Sequence, residues 1–280
     1  RISEKLIERL RTSGKPAIIL CNEAEGLYSI GVDNYGAMYE NIKHLYDRHG
    51  SRSFWFILGP QDNYENKCRC KALLDFADQR GLCEGRDYEI IFSGFDILDG
   101  RESFLKLYKG NEEGRLRLPD AIICANDNLA VGTLAEAEIC GLSAPKDFLI
   151  TGFDDLDKAR FFNPRISTVS YVREDAGEEC IELFKKIWNG QQVETLNYID
   201  SYPIYWESCG CDSSIIVDER AQMKNSILWR ADRDLFEGDV LRLSSRLSRA
   251  DTIEEMMKII PESVPAFRCD GIHLVLDPHF

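Results

Sequence analysis

Short apolar runs alternate along the chain with longer stretches in which apolar residues recur at helical spacing. Four of the runs have the length of buried strands: Phe54–Leu58, Tyr88–Phe92, Ala121–Cys124 and Phe148–Thr151. Three stretches between them have helical spacing: Tyr64–Arg80, Asp99–Lys109 and Leu129–Cys140. Because parallel strands need a long crossover connection, this alternation predicts an α/β protein with a doubly wound parallel sheet.

Further elements flank this region. The preceding segment predicts a helix, two short strands and a second helix: Ile2–Arg11, Pro16–Cys21, Ser29–Asp33 and Tyr35–His49. After the last apolar run, Arg173–Trp188 predicts another helix, and Asn197–Trp206 closes the domain.

Polar residues follow two of the buried runs. Asn126 and Asp127 come shortly after one run, and Asp154 and Asp155 come after the next. In open parallel sheets, ligands bind outside the carboxyl ends of the strands. The sequence therefore predicts a ligand site at this edge of the sheet.

Three motifs carry a resemblance to a known family. They are ANDNLAVG at 125–132, PKDFLITGFDD at 145–155 and NPRISTV at 163–169. With these motifs, the chain from Val32 to about Gly190 resembles the sensor domain of bacterial transcription repressors of the lactose and galactose type. That domain shares the two-lobed fold of periplasmic sugar-binding proteins. The resemblance implies doubly wound parallel sheets in two lobes, with crossings near Val32–Asn34 and at Asn163–Val169.

The two ends of the chain depart from the plan of a simple repressor. We expect the sequence to begin partway through the first lobe, because the remaining strand–helix units of that lobe and a helix-turn-helix would precede Arg1. The predicted division is a sensor at 1–212, a connecting helix at 213–250 and the start of a further small α+β domain, resembling the GAF type, at 251–280. In this last segment Thr252–Ile260 predicts a helix and Ile272–Leu276 predicts a strand.

The stretch from Val217 to Arg249 contains no proline and carries a narrow apolar seam. The seam consists of residues at successive spacings of seven, four, three and four: Trp229, Phe236, Val240, Leu243 and Leu247. Such a seam predicts a helix that forms a coiled coil or helix pair in a homodimer. The alternative is a helix that packs against the sensor.

The resemblance implies a first set of ligand-binding residues. A carboxylate at Asp127 can accept hydrogen bonds from two hydroxyl groups of a sugar, and Arg69 matches the position of an arginine that contacts ligand with its forked guanidinium. Asn126 lies beside Asp127 at the same strand end. The alternatives are a helix N-cap formed by Asn126, Asp127 or Asn128, and a surface salt bridge for Arg69.

A second set of polar and aromatic residues has mixed roles. Phe95 is expected to stack on the apolar face of a sugar, with a core or loop aromatic as the alternative. Asp33 is expected near the ligand, whereas Asn34 is expected to cap the next helix. Asp154 and Asp155 are expected to stabilise the loop that follows their strand and, second, to line the pocket.

Charge and composition narrow the class of protein. Lys and Arg number 34 against 48 Asp and Glu, which gives a net charge of −14. This balance repels a phosphate backbone, so we expect no nucleic acid partner for this chain. No apolar run is long enough to span a membrane. The ten cysteines resemble small core residues more than a disulfide framework, which favours a reducing cytoplasm.

Catalytic and metal-binding motifs are missing from the sequence. Cys209 and Cys211 form the sharpest cysteine pattern, but no second cysteine pair accompanies them and the four histidines are scattered along the chain. No nucleophile motif or phosphate-binding loop is present. We therefore expect no bound metal, no cofactor and no enzymatic activity.

Three hypotheses of function follow, in order of preference. The first is a non-catalytic sensor of a small polar ligand, a sugar or nucleoside, in a bacterial signalling protein whose output is a diguanylate cyclase of the GGDEF type beyond Phe280. The second is the effector-binding domain of a repressor whose DNA-binding domain is missing. The third is a sugar-processing enzyme that uses Asp33, Asp127 and Asp154 as acid–base groups.

Overall fold

The structure is a computed structural model that describes residues 4–171, 173–211, 219–250 and 252–263. The chain divides into two compact units, Arg1–Ser214 and Ile215–Phe280. This division places a boundary close to the predicted end of the sensor. The separation of the second unit into a connecting helix and a further domain stays a prediction.

The first unit alternates strands and helices. In chain order its elements are α1 (Glu4–Thr12), β1 (Ile18–Leu20), β2 (Tyr28–Val32), α2 (Asn34–Arg48), β3 (Phe54–Leu58), α3 (Tyr64–Arg80), β4 (Tyr88–Phe92), α4 (Ile97–Glu112), β5 (Ala121–Cys124), α5 (Asp127–Ile139), β6 (Leu149–Thr151), α6 (Asp157–Arg160), β7 (Thr168–Tyr171), α7 (Arg173–Trp188), β8 (Leu196–Ile199) and β9 (Ser201–Ile204). The short helix α6 is an element that the apolar spacing does not predict.

The strands form two parallel sheets and one antiparallel pair. The larger sheet has the order β4-β3-β5-β6, and the smaller sheet has the order β1-β2-β8. Strand β7 pairs with β9 in the opposite direction. The prediction of an α/β protein with parallel sheets is therefore confirmed.

The larger sheet has the deeper core. All five residues of β3 are buried, and Trp55 packs edge-on against Phe104 of α4 with ring centroids 6.1 Å apart. Burial on both faces explains why this strand is a continuous apolar run in the sequence. Helix α2 packs against α3, and α7 packs against the smaller sheet.

Two glycines bring helices α4 and α5 into close contact. A Cβ atom at Gly132 would lie 2.0 Å from the carbonyl oxygen of Ile97, and one at Gly100 would lie 2.4 Å from the carbonyl oxygen of Leu129. Since no real Cβ approaches a backbone atom so closely, both positions require glycine. The contact fixes the starts of both helices, which follow directly after Phe95–Asp96 and Asn126.

The second unit contains two described helices, α8 (Glu219–Leu247) and α9 (Ile253–Ser263), which contact each other. The predicted helical stretches Val217–Arg249 and Thr252–Ile260 differ from these helices by up to three residues at their ends, whereas the connecting helix was predicted to begin at residue 213, outside the described residues. The predicted strand Ile272–Leu276 and the side chain of Trp229 lie outside the described residues. Among the helices that are described, none is long and apolar enough to cross a membrane.

Candidate functional site

Arg69 joins three segments at the carboxyl edge of the larger sheet. Its side chain is only 3% exposed. Its Nε donates to Asn34 Oδ1 at 2.8 Å, and one terminal nitrogen donates to the carbonyl oxygen of Ala125. The other terminal nitrogen lies 3.5 Å from Asp154 Oδ1, and the guanidinium stacks on the Phe153 ring at 3.7 Å. The alternative of a surface salt bridge for Arg69 is therefore wrong.

Asp154 has an unusual backbone conformation. Its φ angle is 102°, a region that side-chain-bearing residues rarely adopt. Its N–H donates to the carbonyl oxygen of Val169 at 3.1 Å, and its Oδ1 accepts from the hydroxyl of Tyr171 at 3.3 Å. This strained residue lies in the loop that follows β6, at the carboxyl edge of the larger sheet.

Asp155 is held by side chains of α6 and β7. Arg160 donates from Nε and from a terminal nitrogen to the two carboxylate oxygens at 2.8 and 2.6 Å. The hydroxyl of Ser170 donates to Oδ2 at 2.6 Å. The side chain is 4% exposed, so Asp155 stabilises the loop after β6.

Asp127 points into the protein. It is fully buried, its Oδ2 accepts from the N–H of Leu156 at 2.7 Å, and its Oδ1 accepts from the hydroxyl of Thr168 at 2.7 Å. Burial raises the pKa of Asp127 to about 8, although these two hydrogen bonds act in the opposite direction. The carboxyl group therefore connects the start of α5 to the segments after β6 and at β7.

Asn126 is the N-cap of α5. Its Oδ1 accepts from the N–H of Leu129 at 2.9 Å, as expected for the first turn of a helix. Its Nδ2 donates to the carbonyl oxygen of Phe95 at 3.1 Å. Asn126 thereby holds the loop that carries Phe95.

The roles of Asp33 and Asn34 differ from the expectation. Asp33 is the N-cap of α2, and its Oδ1 accepts from the N–H of Gly36 at 2.8 Å. Asn34 is buried, donates from Nδ2 to the carbonyl oxygen of Val32 at 3.1 Å and accepts from Arg69. The prediction that Asn34 caps the helix is wrong, because the chain turns one residue earlier.

A cavity of about 520 Å³ is lined in part by Phe95, whose loop is held by Asn126. Its lining comes from α1, from β1 and the segment after it, from the β3–α3 loop with the start of α3, and from the β4–α4 loop: Glu4, Ile7, Ile19, Asn22, Glu23, Ala24, Pro60, Asp62, Asn63, Tyr64, Lys67 and Phe95. Among the described residues, the lining includes Phe95 but neither Arg69 nor Asp127. The volume suits a single sugar or nucleoside.

Phe95 and Tyr64 shape this cavity. The Phe95 ring lies so close over Gly59 that a Cβ atom there would be 2.1 Å from it. The hydroxyl of Tyr64 donates to Glu23 Oε2 at 2.9 Å, which connects the start of α3 with the segment after β1. The cavity therefore lies between the segment after β1 of the smaller sheet and the loops after β3 and β4 of the larger sheet. A second cavity, of about 420 Å³, is bordered by Asp33 and Ser201.

A cluster that the sequence analysis missed lies at the other end of α2. His44 and His49 meet Cys209 and Cys211, and one nitrogen or sulfur atom of each lies within 4.8 Å of all the others. The prediction that no histidines accompany the cysteine pair is wrong, since residues more than 150 positions apart come together here. The only sequence signal is the pairing of a Cys-Gly-Cys turn with two histidines at the end of a predicted helix.

Comparisons with known families and curated proteins agree with this architecture. Residues 42–204 match the family described as periplasmic binding protein-like domain. The chain is 26% identical over 181 residues to the HTH-type transcriptional repressor CytR of Escherichia coli K12, which covers 64% of this chain and 51% of the repressor. It is 27% identical over 202 residues to the catabolite control protein A of Staphylococcus xylosus, covering 71% and 58%. The chain thus spans about half the length of the curated relatives it matches.

Solved structures share the fold. A regulatory protein of the LacI family from Chloroflexus aggregans superposes with a TM-score of 0.64 at 25% identity, over 72% of this chain and 71% of the other. A LacI family transcriptional regulator from Enterococcus faecium, solved with bound ribose, superposes with a TM-score of 0.63 at 20% identity, over 74% and 76%.

Proposed function

Because the chain belongs to the family of periplasmic binding protein-like domains, we propose that its first unit is a ligand-sensing regulatory domain. It binds a small polar molecule and changes the state of an output domain elsewhere in the protein. The observation that carries this proposal is the 520 Å³ cavity at the carboxyl ends of β1 and β3, where ligands of open parallel sheets bind.

The lining of the cavity favours a sugar or a nucleoside. Phe95 offers an aromatic face, and Asn22, Asn63 and Lys67 offer polar groups for hydroxyls. A ring that is apolar on one face and polar at its edge fits this combination. The ribose bound to the relative from Enterococcus faecium supports the same ligand class.

The predicted site residues take different parts in this proposal. Phe95 contacts the ligand directly. Asn126 and Arg69 act as positioning residues, because Asn126 holds the Phe95 loop and Arg69 joins the starts of α2 and α3 to the loop after β6. The buried Asp127 connects the start of α5 to the segments after β6 and at β7, and Asp33 caps α2. The side chains of Asp127 and Asp33 already accept hydrogen bonds from the protein, which supports binding without catalysis.

The output that the relatives favour is control of transcription. Two of the relatives named above are a transcriptional repressor and a catabolite control protein. Our preferred hypothesis is therefore that this chain is the effector-binding domain of a transcription regulator. Control of a diguanylate cyclase is the second candidate. The observation in its favour is helix α8, which follows the matched residues 42–204. A cytoplasmic homodimer suits both outputs.

A ligand panel tests the proposal. We expect D-ribose, D-glucose, D-galactose, adenosine or cytidine to raise the Tm of the full-length protein, with a Kd measurable by calorimetry. Phe95→Ala should weaken binding about fivefold, because lost stacking costs about 1 kcal/mol. Phe161→Ala removes an exposed ring outside the cavity lining and serves as the matched control. Equal binding by both variants would contradict the assignment of the cavity.

A further inference from the structure

The cluster at the end of α2 has four potential metal ligands that converge on one point. His44 Nε2 and His49 Nε2 lie 3.0 Å apart. Cys211 Sγ lies 3.4 Å from each of these nitrogens, and Cys209 Sγ lies 3.7 Å from His44 Nε2. All four atoms lie within 4.8 Å of one another.

These separations match a tetrahedral site. With Zn–S bonds of about 2.3 Å and Zn–N bonds of about 2.0–2.1 Å, a sulfur and a nitrogen lie roughly 3.6 Å apart and two nitrogens roughly 3.3 Å apart. The three short sulfur–nitrogen distances, 3.4 to 3.7 Å, bracket this value, and the two nitrogens, 3.0 Å apart, would move slightly apart on binding the ion. Two thiolates with two imidazoles are a ligand set that selects zinc.

Local structure holds the ligands in place. Gly210 has a φ angle of 83°, and this left-handed turn brings the two neighbouring cysteines to the same side. The ring of Tyr205 stacks on His44 with centroids 3.4 Å apart and planes 6° from parallel. Cys209 is fully buried, whereas Cys211 and both histidines are partly buried.

We propose that His44, His49, Cys209 and Cys211 bind one zinc ion. Each thiol releases its proton to solvent on binding, so that two thiolates neutralise the charge of Zn²⁺. All four positions of the tetrahedron are filled by protein, which defines a structural site with no open position for a substrate. The site is separate from the cavity lined by Phe95.

The zinc ion would stabilise the end of the first unit. It joins α2 to a turn about 165 residues later in the chain, and the closure of so long a loop by a metal contributes directly to folding. Cys211 lies three residues before the boundary at Ser214. The ion therefore fixes the point at which the chain leaves the ligand-sensing unit.

Two other arrangements of the same residues compete with zinc. In the first, the four side chains form a metal-free network, in which one imidazole donates to the other and the Cys209 thiol donates to the carbonyl oxygen of Trp206 at 3.3 Å. In the second, Cys209 and Cys211 form a disulfide. The experiment distinguishes both from a zinc site.

Metal content is the primary measurement. The 280-residue chain, purified under reducing conditions with zinc supplied during expression, should contain about one zinc per chain by elemental mass spectrometry. The double variant Cys209→Ser with Cys211→Ser should contain none, whereas Cys83→Ser, which changes an exposed cysteine elsewhere, should retain the full content. Tyr205→Leu should weaken zinc binding about tenfold in a chelator competition, because it frees the His44 ring.

A measurement on the unaltered chain covers the case in which the double variant does not fold. X-ray absorption at the zinc edge should give two sulfur and two nitrogen neighbours, and substitution by Co²⁺ should give a tetrahedral visible spectrum with thiolate charge transfer. A chain that stays metal-free when zinc is supplied would overturn the proposal, as would a disulfide between the two cysteines under reducing conditions. Zinc with only nitrogen and oxygen neighbours would overturn it too.

Discussion

Replacing Gly132 by alanine should destabilise the first unit, although alanine is the better helix former. A Cβ atom at this position would lie 2.0 Å from the carbonyl oxygen of Ile97 and 2.9 Å from the backbone nitrogen of Arg101. Both are backbone atoms of α4, so no side-chain rotation can relieve the clash. Helices α4 and α5 would have to separate by more than about 1 Å to reach ordinary contact distance, which disturbs the packing of the core between them.

The magnitude follows from two opposing effects. Alanine gains about 1 kcal/mol over glycine in a helix interior, whereas forcing a well-packed contact apart costs about 1–3 kcal/mol and more when backbone must move. We expect a net loss of about 1–2 kcal/mol in the free energy of unfolding. Gly177 lies inside α7 with open space around its Cβ position, so Gly177→Ala should stabilise by about 0.5–1 kcal/mol.

Urea unfolding followed by tryptophan fluorescence measures both variants. Trp55 is buried and contacts Phe104 of α4, so its emission reports on the region where the helices separate. The two substitutions are chemically identical and should change stability in opposite directions. If Gly132→Ala leaves stability unchanged or raises it like Gly177→Ala, the close contact between α4 and α5 does not exist in solution.

Three further predictions concern charge, nucleic acid and assembly. Because the pKa of Asp127 is raised in the folded state to about 8, the neutral carboxyl group favours folding below the unfolded pKa near 4, and this contribution is lost as pH rises from about 4 to 8. The stability of the unaltered chain relative to Asp127→Asn should fall over that range, and a constant difference by chemical denaturation would contradict it. The 280-residue chain should not bind duplex DNA in fluorescence anisotropy at low salt, because a net charge of −14 repels the phosphates; saturable binding would refute this. Helix α8 should mediate dimerisation, so Phe236→Asp with Leu243→Asp should convert dimers to monomers in sedimentation, and unchanged sedimentation would mean that the apolar seam packs within one chain.

The strands of the larger sheet were predictable because burial on both faces leaves a distinctive pattern, whereas β7 was not predicted and β8 and β9 were expected only as one closing segment. Phe54–Leu58 and Ala121–Cys124 are continuous apolar runs that end at glycine or at polar residues, and the structure has the same bounds. Helix ends were less predictable. Helix α4 begins two residues before the expected start, because the Asp99 carboxylate accepts from the N–H of Asp96 and closes the first turn.

The directions of the polar side chains could not be predicted from the sequence. Asp127 follows a strand end, as a ligand contact would, but its oxygens are taken by Leu156 and Thr168 from distant segments. The histidine and cysteine cluster was missed for the same reason, since its histidines and cysteines lie at least 160 positions apart in the sequence. In each case the decisive partner lies far away in the sequence.

The central claim is that a small polar ligand binds in the cavity lined by Phe95, and hydrogen–deuterium exchange tests it most directly. The measurement compares the full-length protein alone with the protein saturated by the panel member that raises its Tm most. We predict slower exchange at residues 21–24, 61–67 and 93–96, which border the cavity, and no comparable change at 35–40 and 201–204 near the second cavity. Protection confined to the second cavity, or the absence of protection at all of these segments, would contradict the account.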